Sequence, residues 1–189
     1  EFAARGGDEY EAMVRDFASS ENPDIAWRAR RALAARGLVD ADAIEAWRSA
    51  DGSGEAARMS VEALASLPLE DARSRAWESV YSESLSTATL AGLNASSWEG
   101  DSGLDSAVDR LRPYWEAHTI GMALRYANGV LAYGLDIDRE GSVERSVGLL
   151  RGWLDAHGDA PAQLRRIVLE HLDAFERDER VQRRWGSGQ

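Results

Sequence analysis

The stretch VERSVGLLRGWLDAHGDAPAQLRRIVLEHLDAF, from Val143 to Phe175, decides the fold class. Val143, Val147, Leu150 and Trp153-Leu154 recur at three- and four-residue spacing, so one face of a helix carries them all. Asp159 and Pro161 then open a second helix, where proline fits the first turn because its missing N–H would have no partner there. Leu164, Ile167, Val168, Leu172 and Phe175 give that helix its own apolar stripe. Two amphipathic helices joined by a short polar turn form a hairpin that must bury its apolar side against further helices.

Upstream the same grammar repeats. Tyr10, Met13, Val14 and Phe17 form an apolar stripe, and Asn22-Pro23-Asp24 supplies a cap and a first-turn proline. Ile25, Ala29 and Leu33 follow, and Gly37 stops that helix. Asp40 or Asp42 opens the next, the latter with Glu45 three residues on as in a capping box, and Ile44 and Trp47 are its core residues. Met59, Ala63, Leu64 and Leu67 lead to Pro68, which ends their helix, and Ala72, Ala76, Trp77 and Val80 belong to another. Residues 85 to 98 read as a further helix, weakened by serines, threonines and Gly92. Leu104, Val108 and Leu111 run into Pro113-Tyr114-Trp115, where a kink or break is expected. Thr119 to Tyr133 is apolar nearly all round, the mark of a helix covered on several sides. No segment alternates as a strand would. The expected fold is all-α, with about ten helices stacked as antiparallel hairpins in a HEAT- or armadillo-like α-solenoid, at a period of roughly 35 to 45 residues. Internal sequence identity between hairpins is faint.

Length and composition agree with this picture. The chain has 189 residues, 44% of them apolar and 29% charged, enough for one domain or one elongated array with a substantial core. No stretch has the roughly 18 continuous apolar residues of a membrane span. The formal net charge is −11, with 33 acidic residues against 22 basic ones, and every basic one is arginine. Such a surface repels phosphate backbones, which argues against a nucleic-acid partner. Cysteine is absent, so disulfides and thiolate chemistry are excluded; a reducing cytoplasm is the expected location, with a cysteine-free secreted protein as the alternative. Residues 1–7 read as a cloning scar or cut linker, 8–185 as the helical domain and 186–189 as a disordered tail.

The search for chemistry is short. His118, His157 and His171 have no HExxH or HxH spacing, so no zinc site follows from them. The first two sit at expected helix ends, where satisfying backbone carbonyls explains them, and His171 borders an apolar face. No Gly-x-Ser-x-Gly or phosphate-binding glycine loop occurs. Asp136-Ile137-Asp138-Arg139-Glu140-Gly141 imitates the start of a calcium loop, but Val147 stands where the bidentate glutamate is needed. An acidic turn before a helix capped by Ser142 accounts for it better. Paired carboxylates such as Asp8/Glu9/Glu11 and Asp173/Glu176/Asp178/Glu179 lie where solvated helix faces are expected. The seven tryptophans read as core anchors between helices. Arg165, Arg166, Arg177, Arg180, Arg183 and Arg184 concentrate basic charge on the last helix. Complementing the macrodipole and pairing with surface acids is one explanation; facing a carboxylate-bearing ligand or an adjoining domain is the other.

The last third resembles the C-terminal helical domain of the aminopeptidase N family of zinc metallopeptidases in its actinobacterial form. Trp153-Leu154 followed by Pro161-Ala162-Gln163-Leu164-Arg165-Arg166-Ile167-Val168-Leu169-Glu170 matches a pattern of WL, a short gap and P-x-x-LRR-x-x-x-E, and Asp173 follows. Glu176-Arg177-Asp178-Glu179-Arg180-Val181-Gln182 is similar to the near-terminal ERALRAQ-like run. Upstream, Ala76-Trp77-Glu78, Leu85-Ser86, Ala91-Gly92-Leu93, Leu111-x-Pro113-Tyr114 and Gly134-Leu135 fall in the family's order, with Asp136 replacing a usual proline. Arg31 to Leu67 resembles the linking helices, so the likeness covers about residues 8 to 185. The family's HExxH zinc helix and GAMEN segment are absent, and both would lie upstream. The resemblance therefore implies a fragment of a larger peptide-hydrolysing enzyme, without catalytic residues or cofactor of its own, the zinc residing in a missing catalytic domain. It implies a cap that closes over that domain, its partner, and shapes a chamber for peptide substrate. In some relatives basic cap residues approach the peptide's C-terminal carboxylate, which makes Arg177 and Arg180 the candidate chamber residues here. Two other readings stand beside it: a free-standing helical-repeat scaffold for a protein partner, and a self-contained helical enzyme using carboxylates.

Overall fold

The computed structural model describes residues 11–82, 87–96, 103–132 and 142–185, the last few (182–185) by backbone alone. Tyr10, Leu85-Ser86, Trp98, Gly134-Leu135, the calcium-like segment from Asp136 to Gly141 and the two chain ends lie outside the described residues. The described residues form eleven α-helices and no strand. They are α1 (Glu11–Phe17), α2 (Pro23–Ala35), α3 (Ala41–Asp51), α4 (Gly54–Ser66), α5 (Glu70–Tyr81), α6 (Thr87–Ala95), α7 (Leu104–Asp109), α8 (Leu111–Ala117), α9 (Ile120–Ala132), α10 (Ser142–Ala156) and α11 (Ala162–Trp185). The fold is all-α, built of packed helical hairpins, as the periodicity predicts. Contacts divide it into two compact units, Glu1–Gly100 and Asp101–Gln189.

In the first unit the helix ends follow local chemistry. Asn22 caps α2, its side-chain oxygen accepting from the Asp24 N–H at 3.0 Å, with Pro23 as the first helical residue. Gly37, at φ +66°, ends the helix: its N–H donates to Ala34 O and the Leu38 N–H to Leu33 O, both at 2.9 Å, the two bonds of a Schellman motif. Asp40 rather than Asp42 caps α3, accepting from the Ala43 N–H at 2.9 Å. Glu45 turns instead to Arg48 one turn on.

The middle of this unit is α4, which packs against α2, α3, α5 and α6. Its approach to α6 is very close. A Cβ on Gly92 would stand 2.2 Å from the Glu62 carbonyl oxygen and 2.7 Å from the Ala65 Cβ, so only glycine fits. Gly92 thus marks a helix crossing, where sequence alone saw a weakened helix. Polar groups buried on α4 are satisfied locally: the Ser60 and Ser66 hydroxyls donate to Ala57 O at 2.9 Å and Ala63 O at 2.7 Å. Glu62, only 6% exposed, is paired with Arg31 and has Arg58 at 3.8 Å. Trp27, Ile44, Ala63 and Leu67 form the main core, and Val14, Ala29 and Leu33 a second one, with Trp47 and Val39 packing against both. On α1 the expected stripe is only partly realised. Val14 is buried, whereas Met13 and Phe17 are 47% and 46% exposed; among the described helices α1 packs most closely on α2.

In the second unit the expected break falls between Asp109 and Leu111. Pro113 has no N–H for the Asp109 carbonyl and its ring would collide with it, so the regular helix stops there and restarts. The Tyr126 hydroxyl donates to Ala107 O at 2.9 Å just before the break. Helix α9 touches α7, α8 and α11, as its nearly all-round apolar composition predicts. Helices α10 and α11 form the long hairpin, with Val143, Val147, Leu150, Trp153, Leu164, Val168 and Phe175 buried.

Candidate functional site

The corner between α10 and α11 gathers the residues of the WL and P-x-x-LRR part of the family-like pattern. Trp153 and Leu154 are buried at the end of α10, and Leu164 is buried at the start of α11. Arg165 does not face solvent as a free cation. Its Nη1 donates to Leu154 O at 3.0 Å and to His157 O at 2.7 Å. These are carbonyls that a helix C-terminus leaves without an intrahelical partner, so Arg165 caps α10 from the next helix. Arg166 pairs with Glu170 one turn on, at 2.8 Å. Sequence reasoning counted Arg165 among the basic residues of the last helix and missed its partners, because they lie 8 and 11 residues back.

Arg177 and Arg180 both lie on exposed positions of α11. Arg177 pairs with Asp173 at 2.9 Å and also donates to the Asp173 carbonyl at 3.2 Å. Three residues apart, the two arginines share one side of the helix and project into open surroundings. Glu176 accepts from Arg151 of α10 at 2.8 Å, an ion pair across the hairpin. A shallow groove of about 490 Å³ between α9 and α11 is lined by Leu124, Asn128, Gln163, Arg166 and Glu170, and neither Arg177 nor Arg180 reaches it.

The histidines occupy the places expected of them. His118 Nδ1 lies 3.0 Å from Tyr114 O and His157 Nδ1 2.9 Å from Trp153 O, each reaching a carbonyl in the last turn of a helix; Trp153 O also accepts from the His157 backbone N–H at 3.0 Å. His171 is half-buried with its ring edge toward Phe175, and burial lowers its pKa below the ordinary histidine value. Among the described residues no group of three His, Asp or Glu side chains is placed to hold a metal ion.

Of the tryptophans, Trp27, Trp77 and Trp153 are buried and Trp47 is half-buried. The Trp27 indole N–H donates to Asp51 at 3.0 Å, and Trp77 stacks on Tyr81. The Arg30 guanidinium lies over both Trp27 and Trp47, at 5.0 and 5.1 Å from the ring centroids, while its Nε donates to Ala18 O at 3.1 Å. Partial burial lowers the Arg30 pKa, and hydrogen bonds from Ser53 and Trp27 hold the Asp51 carboxyl below the usual range. This cluster is internally satisfied and ties α2 to α3. The spacing of Trp27 and Arg30, one helical turn apart, was the available signal for it.

Taken together, these side chains offer shape, caps and surface charge. In comparison with known proteins, the sequence matches no family model and no curated protein.

Proposed function

We propose that this chain is a non-catalytic helical domain that works by covering and shaping a binding space, as the C-terminal cap of a zinc aminopeptidase acting on peptides. The observation that carries this reading is the ordered pattern from Trp153-Leu154 through Pro161, Leu164, Arg165 and Arg166 to Glu170. Its residues have concrete tasks at one corner: Trp153, Leu154 and Leu164 are buried helix-end anchors and Arg165 caps the preceding helix. Such tasks explain why a helical domain would retain these residue types at this spacing. In this reading zinc belongs to an upstream catalytic domain, and Arg177 and Arg180 are the residues offered to the carboxylate end of a peptide. The test is made on the gene. The reading frame should continue upstream through an HExxH helix, and in the whole enzyme Arg177→Ala and Arg180→Ala should raise KM for peptides more than for aminoacyl-arylamides. A frame without that helix, or stoichiometric zinc with aminopeptidase activity in residues 1–189 alone, would overturn it.

A second reading is a helical-repeat scaffold for a protein partner. Met13 and Phe17, about half exposed on α1, favour it because apolar side chains of that size invite cover.

A further inference from the structure

The second unit contains a repetition that its sequence hides. Residues 104–118 and 143–157 align in sequence at a constant offset of thirty-nine, pairing Val108 with Val147, Leu111 with Leu150, Arg112 with Arg151, Ala117 with Ala156 and His118 with His157 as identities. Leu104 and Val143, Ala107 and Ser146, and Tyr114 and Trp153 are paired by the same offset, and all six are buried. The following helices match at forty-one, with Ala123, Tyr126, Ala127 and Leu131 buried in α9 as Leu164, Ile167, Val168 and Leu172 are in α11. Like also packs on like: α7 contacts α10, and α9 contacts α11.

Any two amphipathic hairpins share a burial rhythm, so the rhythm alone decides little. The helix ends are more specific. In the first copy the His118 ring lies 3.8 Å from the Tyr114 ring, stacked at 9°, and its Nδ1 reaches Tyr114 O at 3.0 Å. In the second the His157 ring lies 4.6 Å from Trp153, stacked at 18°, with Nδ1 at 2.9 Å from Trp153 O. In both, the aromatic residue four positions back supplies the stacking face and the carbonyl together. The sequences Tyr114-Trp115-Glu116-Ala117-His118 and Trp153-Leu154-Asp155-Ala156-His157 share the order aromatic, apolar, acid, alanine, histidine.

We infer that the second unit is a tandem duplication of one helical hairpin, and that Tyr114/His118 and Trp153/His157 are two copies of one device that ends the first helix of each hairpin. A carbonyl only accepts, so each ring must carry its proton on Nδ1 when neutral, the less populated tautomer of a free histidine in water. The copies are not identical: in the second, the His157 backbone N–H also donates to Trp153 O, at 3.0 Å. Pro113, which breaks the first helix, is matched by Gly152, and the second helix continues unbroken from Ser142 to Ala156.

The test is a two-dimensional nitrogen–proton correlation of the imidazole rings in the whole chain, uniformly labelled and held above pH 8. Both His118 and His157 should show the Nδ1–H tautomer, with ring protons shifted upfield by the stacked aromatic. His118→Ala and His157→Ala should each lower the unfolding midpoint by a similar amount, about 2–4 °C for the loss of one cap in a chain of 189 residues. Exchanging the aromatic faces, as Tyr114→Trp and Trp153→Tyr, should leave both Nδ1–H signals in place. An Nε2–H tautomer at either ring, or loss of the signal in either exchange variant, would overturn the equivalence.

Discussion

Single side chains show where local chemistry is complete and where it is not. The Tyr114 hydroxyl is buried without a hydrogen-bond partner among the described residues, and burial raises its pKa above the ordinary tyrosine value. Its ring, by contrast, is well used, stacked between His118 and Tyr126, the latter at 4.2 Å. Burying a polar group unpaired costs more than omitting it. Tyr114→Phe should therefore keep both stacks and raise stability by roughly 1 kcal/mol, whereas Tyr126→Phe, which loses the bond to Ala107 O, should lower it by about as much. Paired urea titrations of the two variants check this, and a stabilised Tyr126→Phe would contradict it.

At the scale of helices, two contacts set how elements meet. Gly92 lets α6 lie against the backbone of α4, and alanine there meets the Glu62 carbonyl oxygen, an atom fixed in a helix. Alanine's better helix propensity favours the variant by about 1 kcal/mol, but overpacking against backbone costs typically 1–3 kcal/mol. Gly92→Ala should be destabilising on balance, by up to about 2 kcal/mol, as measured by the urea midpoint. Arg165 acts at the other end of the chain, holding two carbonyls at the close of α10. Arg165→Ala should cost about 1–3 kcal/mol, since these are bonds from a charged donor. Hydrogen exchange should show the loss concentrated in the last turn of α10 and the first of α11. Uniform protection loss, or none, would show that Arg165 is not the cap. The helices themselves were legible from sequence because stripes and caps such as Asn22 and Gly37 act within a few residues. Neither Gly92's neighbour nor Arg165's partners obey that range. The two arginines proposed for a substrate chamber, Arg177 and Arg180, were nameable only through the family-like pattern, since nothing local separates them from other exposed arginines.

Across the whole molecule, acid should weaken the fold in two stages. His171 titrates lower in the folded state than when unfolded, through burial. As pH falls through the ordinary histidine value of about 6.5, the unfolded chain takes up that proton first, and stability declines until the folded pKa is passed. Asp159 is held below its ordinary value by hydrogen bonds from Arg112, at 2.8 and 3.1 Å. Its contribution is present above the unfolded carboxylate range near pH 4 and is lost as pH drops through the lower folded value. Urea midpoints across pH 8 to 3 should show both declines. His171→Leu should remove the first and Asp159→Asn should reduce the second, which Asp51, also held below its ordinary range, shares; a first decline that survives His171→Leu would assign it to another group.

The sequence by itself determined that the chain is helical, where most helices start and stop, and which faces turn inward, because those choices rest on interactions a few residues long. Tertiary structure alone decided that Glu62 is buried against Arg31, that Arg30 lies over two indoles and that Gly92 marks a crossing. It also decided that histidines thirty-nine residues apart end their helices in the same way. Each of these joins residues on different helices or compares distant ones. Periodicity places a residue on a face; only the packing of the helices says what that face meets.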